Sequence, residues 1–252
     1  MGEYRILTYD TGSAAGKLLT DALRGRMIRS EGSTYRLKPE DRIVRWGLYG
    51  RGNGLPTHVN QPEGIEICTS KRHSFSRFAA CNVPHPQLTN NREVAFGWIQ
   101  AGGKAYARYE DNGCKGSGIR VCHTRTELDA TRPLYWTKGF HIDREFRIYT
   151  AFGKVIGSRE KIAPQHPTSE MDLNPEIRAS DDWIYSTQTT IPSLARVAAV
   201  AATKAIRLDF AGVDLATNDA GDVCVFECNS APWLSEYLAT KLANTIRENC
   251  PL

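Results

Sequence analysis

The pattern of apolar and polar positions along the chain predicts a mixed α/β protein. Residues 4–10 (YRILTYD) form a short apolar run that is typical of a buried strand. A glycine turn and an apolar-periodic segment follow at 12–23 and predict a helix, and a second strand is predicted at 41–50. Strand, helix and strand in this order are typical of an α/β domain.

The middle of the chain divides into further elements at its turn residues. Residues 50–64, rich in Gly, Pro and Asn, are predicted to be a linker. A helix is predicted at 70–82, and the prolines directly after it stop that helix. An alternating strand at 104–110 runs into a glycine-rich stretch at 111–119. Residues 133–162 predict two strands that turn at Phe152-Gly153-Lys154.

Apolar residues recur at helical spacing between residues 191 and 208, which predicts a core-facing helix. The residues of this predicted buried face are Leu194, Val197, Ala198, Ala201, Ala205 and Leu208.

The hairpin after this helix, GVDLATNDAGDVCVFECNSAPW (212–233), carries polar groups inside apolar runs. Glu227 and Asn229 point to one face of their strand, because side chains alternate along a strand. A turn at Ala220-Gly221 would place Asp214 directly opposite Glu227. Adjacent carboxylates repel unless a cation or a proton lies between them, and such hard oxygen ligands suit magnesium. An ordinary polar pair on a solvated sheet face is the alternative.

Composition narrows the classes of function. The 252 residues are 41% hydrophobic, and 32 basic against 28 acidic side chains give a net charge of only +4, which does not by itself indicate nucleic acid. The seven cysteines are scattered without a CxxC pair, which favours reduced thiols in the cytoplasm. Cys224 and Cys228 are expected to pack rather than react. No apolar run is long enough for a membrane span, and we expect no secretory signal.

The hairpin resembles the C-terminal signature of the ATP-grasp superfamily, a GVD strand, a turn with glycine and an hEhNxxPG strand. Other segments resemble the same family in the same order, so that the similarity covers about residues 42–240: NQPEGIEICTSKRHSFSRFAACNVPHPQ, AYARYEDNGCKGSGIRV, LYWTKGFHIDREFRIYTAFGKVIG and IRASDDWIY. The last segment is similar to phage and bacterial members of unsettled substrate. The cytoplasm that we expect from the cysteines would be the host cytoplasm if the protein is phage-encoded.

The resemblance implies a fold and an activity. A small N-terminal α/β domain (1–66) would precede an ATP-grasp domain (67–252), whose lid subdomain (67–137) and C-terminal metal and phosphate subdomain (138–252) are both α+β and clamp ATP. Such enzymes use magnesium or manganese and join a carboxylate to an amine or a thiol through an acyl phosphate, mainly by positioning and charge neutralisation.

The resemblance also implies roles for individual residues. Asp214, Glu227 and Asn229 would hold the metal, and Lys71 and Arg108 would contact phosphates. The glycine-rich loop over the triphosphate would be Gly113, Gly116, Ser117 and Gly118, although this stretch alone also fits a plain surface turn. The hinge under adenine would be Lys138, Gly139, Phe140 and His141. Glu145 would hold the ribose. Arg147, Arg159 and Arg178 would face the transferring phosphate or the substrate carboxylate, with surface ion pairing as their alternative.

One departure and several alternatives remain. Trp233 stands after Pro232 where the family has glycine, and it either narrows the acceptor pocket or packs. The acceptor and the carboxylate are not identified by the sequence; peptide or macromolecular substrates are allowed, nucleic acid is not favoured, and no membrane partner is expected. An ATP-grasp kinase, a non-catalytic nucleotide-binding protein and a basic nucleic-acid- or protein-binding module are the other readings. DTGSAAGKLL (10–19) lacks the spacing and hydroxyl of a P-loop.

Overall fold

The computed structural model describes residues 2–9, 12–48, 55–113, 116–166, 176 and 183–252. The helices in these ranges are α1 (Ala14–Leu23), α2 (Pro62–Thr69), α3 (Lys71–Ala80), α4 (Arg92–Gln100), α5 (Arg125–Asp129), α6 (Ser193–Ala205) and α7 (Glu236–Asn249). The strands are β1 (Tyr4–Thr8), β2 (Arg26–Arg29), β3 (Arg42–Arg45), β4 (Leu88–Thr89), β5 (Ala105–Arg108), β6 (Ile119–Cys122), β7 (Tyr135–Lys138), β8 (Arg144–Ala151), β9 (Lys154–Ile162), β10 (Ile184–Ser186), β11 (Phe210–Thr217) and β12 (Val223–Asn229).

These strands form three sheets in the described part of the chain. The N-terminal sheet is parallel, in the order β2-β1-β3. A four-stranded antiparallel sheet has the order β4-β7-β5-β6, and a five-stranded antiparallel sheet has the order β10-β9-β8-β11-β12. A parallel α/β unit followed by two antiparallel sheets with helices confirms the predicted fold class.

The N-terminal sheet contains one strand that the pattern did not predict. β2 carries arginine at both ends and buries one of its four residues, so it resembles a polar loop in sequence. It pairs with β1, whose five residues are all buried. The sheet contacts the five-stranded sheet where the ring of Trp46 stacks on that of Phe210 at 5.6 Å.

The predicted linker is described only from residue 55, and its end is fixed in place. Asn60 is fully buried, and its side-chain oxygen accepts hydrogen bonds from the backbone nitrogens of Asp209 (2.8 Å) and Phe210 (3.0 Å). Its amide nitrogen donates to the carbonyl of Phe210 at 3.1 Å. These bonds attach the start of α2 to the start of β11.

The helix α6 is confirmed, and its predicted buried face is partly right. Ala198, Ala205 and Leu208 are buried as predicted, whereas Leu194 and Val197 are each 65% exposed. The buried stripe of the helix contains Ala195, Ala198, Ala199 and Ala202. Alanines at positions i, i+3, i+4 and i+7 let the helix approach the sheet closely, and the larger side chains therefore face outward.

Residues 133–162 form three strands rather than the two predicted. The turn at Phe152-Gly153 is confirmed, with φ angles of 46° and 77° between β8 and β9. β7 lies in the four-stranded sheet, whereas β8 and β9 lie in the five-stranded sheet. The short segment between β7 and β8 therefore connects the two sheets, which is where the hinge was predicted.

Candidate active site

A cavity of about 830 Å³ lies between the four-stranded and the five-stranded sheets. β5 and β7 line it from one sheet, and β8, β9, β11 and β12 line it from the other. Twelve of the predicted site residues line this cavity: Lys71, Arg108, Gly113, Gly116, Lys138, Phe140, Glu145, Arg147, Arg159, Asp214, Glu227 and Asn229. The fold thus brings residues from four separated stretches of sequence to one place.

Four charged side chains form one row across the five-stranded sheet. Arg159 is paired with Arg147, Arg147 with Asp214, and Asp214 with Glu227. Directly paired residues in an antiparallel sheet point to the same face, so two cations and two anions stand side by side under the cavity.

The predicted pairing of Asp214 with Glu227 is confirmed, and a β-bulge maintains it. The register shifts between Asp214 and Leu215, so that Phe226 has no partner on β11. Val225 joins Cys228 in the core, while Phe226 lines the cavity and its ring meets that of Phe140 edge-on at 6.4 Å. Because of the bulge, the residues of β12 before Phe226 face the opposite side of the sheet from the one that uninterrupted alternation would give them.

Uninterrupted alternation would place Cys224 and Cys228, four residues apart, on the same face of the strand, but the bulge between them places Cys224 on the opposite face from Cys228. Both thiols are buried, and burial raises the pKa of each, that of Cys224 to about 12. Neither thiol is a nucleophile at neutral pH, which agrees with the expected packing role.

Each carboxylate of the row is paired with a cation. Arg147 donates to both oxygens of Asp214 at 2.6 Å, and the ammonium of Lys71 donates to Glu227 at 2.8 Å. Burial raises the pKa of Asp214 despite Arg147. Burial acts in the same direction on Glu227, but Lys71 and Arg147 outweigh it and hold the pKa of Glu227 below its ordinary value.

The side-chain oxygen of Asn229 accepts a hydrogen bond from the backbone nitrogen of Ala231 at 2.9 Å. Asn229 lies two residue pairs along from the charged row, on the same face of the sheet and opposite Gly212. A Cβ on Gly212 would lie 2.6 Å from Pro232, so this position admits only glycine without rearrangement. Asp214, Glu227 and Asn229 therefore present two carboxylates and an amide to the same end of the cavity.

Lys71 is held at the first position of α3. The hydroxyl of Ser70 caps this helix by accepting from the backbone nitrogen of His73 at 3.1 Å. The backbone nitrogen of Lys71 donates to the carbonyl of Asp111, in the connection after β5, at 3.2 Å. Helix and connection together place the ammonium beside Glu227.

Arg108 and Arg159 are two further cations that line the cavity. Among the residues that the structure describes, neither Arg108 nor Arg159 has a carboxylate within ion-pair distance, in contrast to Arg147. Burial lowers the pKa of Arg108, yet its guanidinium remains charged at neutral pH. Partly buried, unpaired guanidinium groups create strong affinity for an anion.

The predicted glycine-rich loop is only partly at the cavity. Gly113 and Gly116 line it, whereas Ser117 and Gly118 do not. The hydroxyl of Ser117 donates to Glu110 at 3.0 Å, and Gly118 adopts φ +65° against that same side chain. Residues 114–115 lie outside the described residues.

The residues of the predicted hinge also lie only partly at the main cavity. Lys138 and Phe140 line the main cavity, whereas Gly139 and His141, together with Phe140, line an adjacent cavity of about 480 Å³. His141 is exposed and lies 3.2 Å from Asp219. A Cβ on Gly139 would lie 2.4 Å from the side chain of Lys104, so this residue allows β5 and the hinge to meet.

Glu145 lines the cavity and lies 3.5 Å from Lys161, its cross-strand partner. Lys161, Tyr149 and Tyr185 also line the cavity and were not predicted. Strand alternation carries a signal for the first two, because Tyr149 lies two residues after Arg147 and Lys161 two after Arg159. Arg178 lies outside the described residues.

No group of three His, Cys, Asp or Glu side chains able to hold a metal occurs among the described residues. The predicted metal set contains two carboxylates and an amide, so it is of a different composition. In the described ranges, no helix has the length and apolarity needed to cross a membrane.

The sequence matches no protein-family model and no curated protein. Solved structures do match. The ATP-grasp ligase PsnB complexed with minimal precursor superposes with a TM-score of 0.71 at 13% identity, covering 97% of this chain and 98% of PsnB. A Chryseobacterium gregarium RiPP-associated ATP-grasp ligase gives 0.66 at 15% identity, covering 100% and 98%.

The D-alanine–D-alanine ligase from Bacillus anthracis gives a TM-score of 0.63 at 14% identity, covering 98% of this chain and 96% of that one. These matches extend over nearly the whole of both chains, including the two sheets that enclose the cavity. The chain therefore has the ATP-grasp fold.

Proposed function

We propose that this protein is an ATP-dependent ligase that joins a carboxylate to an amine or a thiol through an acyl phosphate. The observation that carries the proposal is the charge arrangement of the cavity. The guanidinium groups of Arg108 and Arg159, which have no carboxylate partner among the described residues, face it together with the carboxylates of Asp214 and Glu227. Such a site suits an anionic ligand that arrives with a divalent cation.

Magnesium, or manganese in its place, fits the residues at one end of the cavity. Asp214 and Glu227 each attract a cation already, in the form of Arg147 and Lys71, and Asn229 adds a neutral oxygen. These three residues would hold the metal, which when bound would neutralise phosphate charge as a Lewis acid. PsnB was solved with Mg and ADP, in agreement with this assignment.

The nucleotide would lie between the sheets. Lys71 and Arg108 bind the phosphates, and the backbone at Gly113 and Gly116 approaches them without a Cβ. The segment at Lys138 and Phe140 contacts adenine. Glu145, close to it on β8, accepts hydrogen bonds from the ribose. Ser117, Gly118, Gly139 and His141 support these positions from outside the cavity.

The substrate carboxylate would bind at Arg159 and Arg147, with Arg178 as a further candidate. Its oxygen attacks the γ-phosphorus of ATP, the bond to ADP breaks, and an acyl phosphate forms. The amine or thiol then attacks the carbonyl carbon and phosphate leaves, while the nucleophile loses its proton. The residues accelerate both steps by orienting the reactants and balancing charge.

Peptides are the substrate class that we favour for one or both reactants. PsnB and the macrocyclase MdnC from Microcystis aeruginosa MRC were solved with precursor peptides.

We place the protein in the cytoplasm, since the six cysteines among the described residues are all free thiols.

Isothermal titration of ATP, with and without magnesium, tests the proposal on wild type and Glu227→Gln. We expect magnesium-dependent binding that the variant loses, because glutamine keeps the shape of the side chain and removes its charge. Binding that does not depend on magnesium in either protein would contradict the metal assignment. ATP turnover without an amine or thiol would instead indicate a kinase.

A further inference from the structure

Trp233 occupies an unusual position at the substrate end of the cavity. It lies in the connection between β12 and α7, and it is 53% exposed although its neighbours Pro232 and Leu234 are buried. Pro232 packs on Gly212, and Leu234 belongs to a hydrophobic core cluster. The two neighbours fix the backbone, and the indole between them lines the cavity.

The indole contacts Arg159. The guanidinium carbon of Arg159 lies 4.1 Å from the centre of the Trp233 ring. The Nε atom of Arg159 is buried and has no hydrogen-bond partner among the described residues. An arginine stacked on a ring keeps its N–H groups available at the edge, where a carboxylate binds in the plane. Trp233 thus orients Arg159 for an anion.

A second arginine–aromatic pair lies beside the first. The guanidinium carbon of Arg147 lies 5.3 Å from the ring centre of Tyr185, and both residues line the cavity. Arg147 and Arg159 are direct cross-strand partners. Asp214 pairs with Arg147, so Arg159 is the guanidinium of this pair that has no carboxylate partner among the described residues, and the two rings add flat apolar surface beside it. A small aliphatic carboxylate would use the charge and leave the rings uncovered.

We infer that Trp233 is a specificity-determining residue, which selects carboxylates that carry a planar group next to the carboxyl carbon. The carboxylate binds at Arg159, and the planar group packs on the exposed part of the indole. This inference rests on the proposed function, because it assumes that the carboxylate substrate enters at this end. It adds a chemical class of substrate, which the ligase proposal leaves open.

Benzoate and cyclohexanecarboxylate separate planarity from size and hydrophobicity. We expect benzoate to bind wild type, saturated with magnesium and a non-hydrolysable ATP analogue, about 3- to 10-fold more tightly than cyclohexanecarboxylate, measured by ligand-observed NMR titration. Trp233→Leu should abolish this ratio, whereas Trp233→Phe should keep most of it. Tyr237→Leu is the matched control, since Tyr237 is 65% exposed on α7 and does not line the cavity.

Each outcome decides one question. Equal affinities in wild type, no binding of either carboxylate, or a ratio that survives in Trp233→Leu overturns the inference while the analogue still binds. Failure of the analogue to bind wild type overturns the proposed function and the inference with it. Arg159→Met should weaken both carboxylates about 10-fold or more, and unchanged affinities there would also refute the carboxylate site.

Discussion

Removing Arg147 should destabilise the protein through Asp214, the residue it neutralises. The guanidinium donates to both carboxylate oxygens at 2.6 Å, and only 18% of the Arg147 side chain and 15% of the Asp214 side chain are exposed. In Arg147→Met the methionine fills most of the volume of the stem. The carboxylate of Asp214 then remains inside the sheet face without its partner, next to Glu227.

The expected magnitude follows from that burial. Breaking a buried ion pair by removing one partner costs about 3–5 kcal/mol, because a desolvated charge is left uncompensated. Since water still reaches part of both side chains, we expect the lower end, about 3 kcal/mol. The second substitution in Arg147→Met/Asp214→Asn removes the remaining charge and should recover about half of the loss.

Urea unfolding in magnesium-free buffer, followed by circular dichroism, measures these changes. Arg159→Met is the matched control, because Arg159 is the cross-strand partner of Arg147 but has no carboxylate partner among the described residues. It should change the free energy of unfolding by less than about 1 kcal/mol, since it also relieves repulsion between two directly paired cations. The reasoning fails if Arg147→Met is as stable as Arg159→Met, or if the double variant is no more stable than Arg147→Met.

Three further substitutions test other contacts. Lys71→Ala should weaken ATP binding about 10- to 100-fold in calorimetric titration, because Lys71 lines the cavity. Arg72→Ala is the neighbouring control, and an unchanged dissociation constant for Lys71→Ala would exclude a phosphate contact. Arg144→Gln should cost about 1 kcal/mol at pH 7 after solvent screening, since Arg144 donates two hydrogen bonds of 2.8 Å to Glu160. Those bonds lower the pKa of Glu160, so the stabilisation is present above its unfolded pKa and disappears as pH falls through the lower folded value. Urea unfolding should therefore show the full Arg144→Gln deficit at pH 7 and a deficit that shrinks steadily as pH falls below the ordinary glutamate pKa of about 4.3, and a deficit that does not change with pH would contradict the assignment. Asn60→Ala should lower the free energy of unfolding by about 2–4 kcal/mol, because it leaves buried backbone groups unpaired; a loss under about 1 kcal/mol would show that water replaces the amide.

The sequence by itself determined the elements on which the site is built. The apolar runs and the glycine turn located the hairpin, and the predicted pairing of Asp214 with Glu227 is present in the structure, where the bulge maintains it. The helical segment predicted at 70–82 located the helix that carries Lys71, α3. These are local properties, since strand alternation and capping depend on neighbouring residues alone. The order of the segments along the chain matched that of ATP-grasp proteins, and this resemblance gave the fold and the roles expected for individual residues.

Tertiary structure alone decided how the charges are combined. Arg159, Arg147, Asp214 and Glu227 form one row only because β9, β8, β11 and β12 pair in one register, and nothing in the separate segments specifies that register. The same holds for the lysine of α3 that reaches Glu227. The unpredicted bulge at Phe226 and the alanine stripe of α6 arise from packing between elements. Trp233 faces Arg159 because its neighbours Pro232 and Leu234 are buried against residues distant in sequence. A one-dimensional pattern does not contain such long-range contacts.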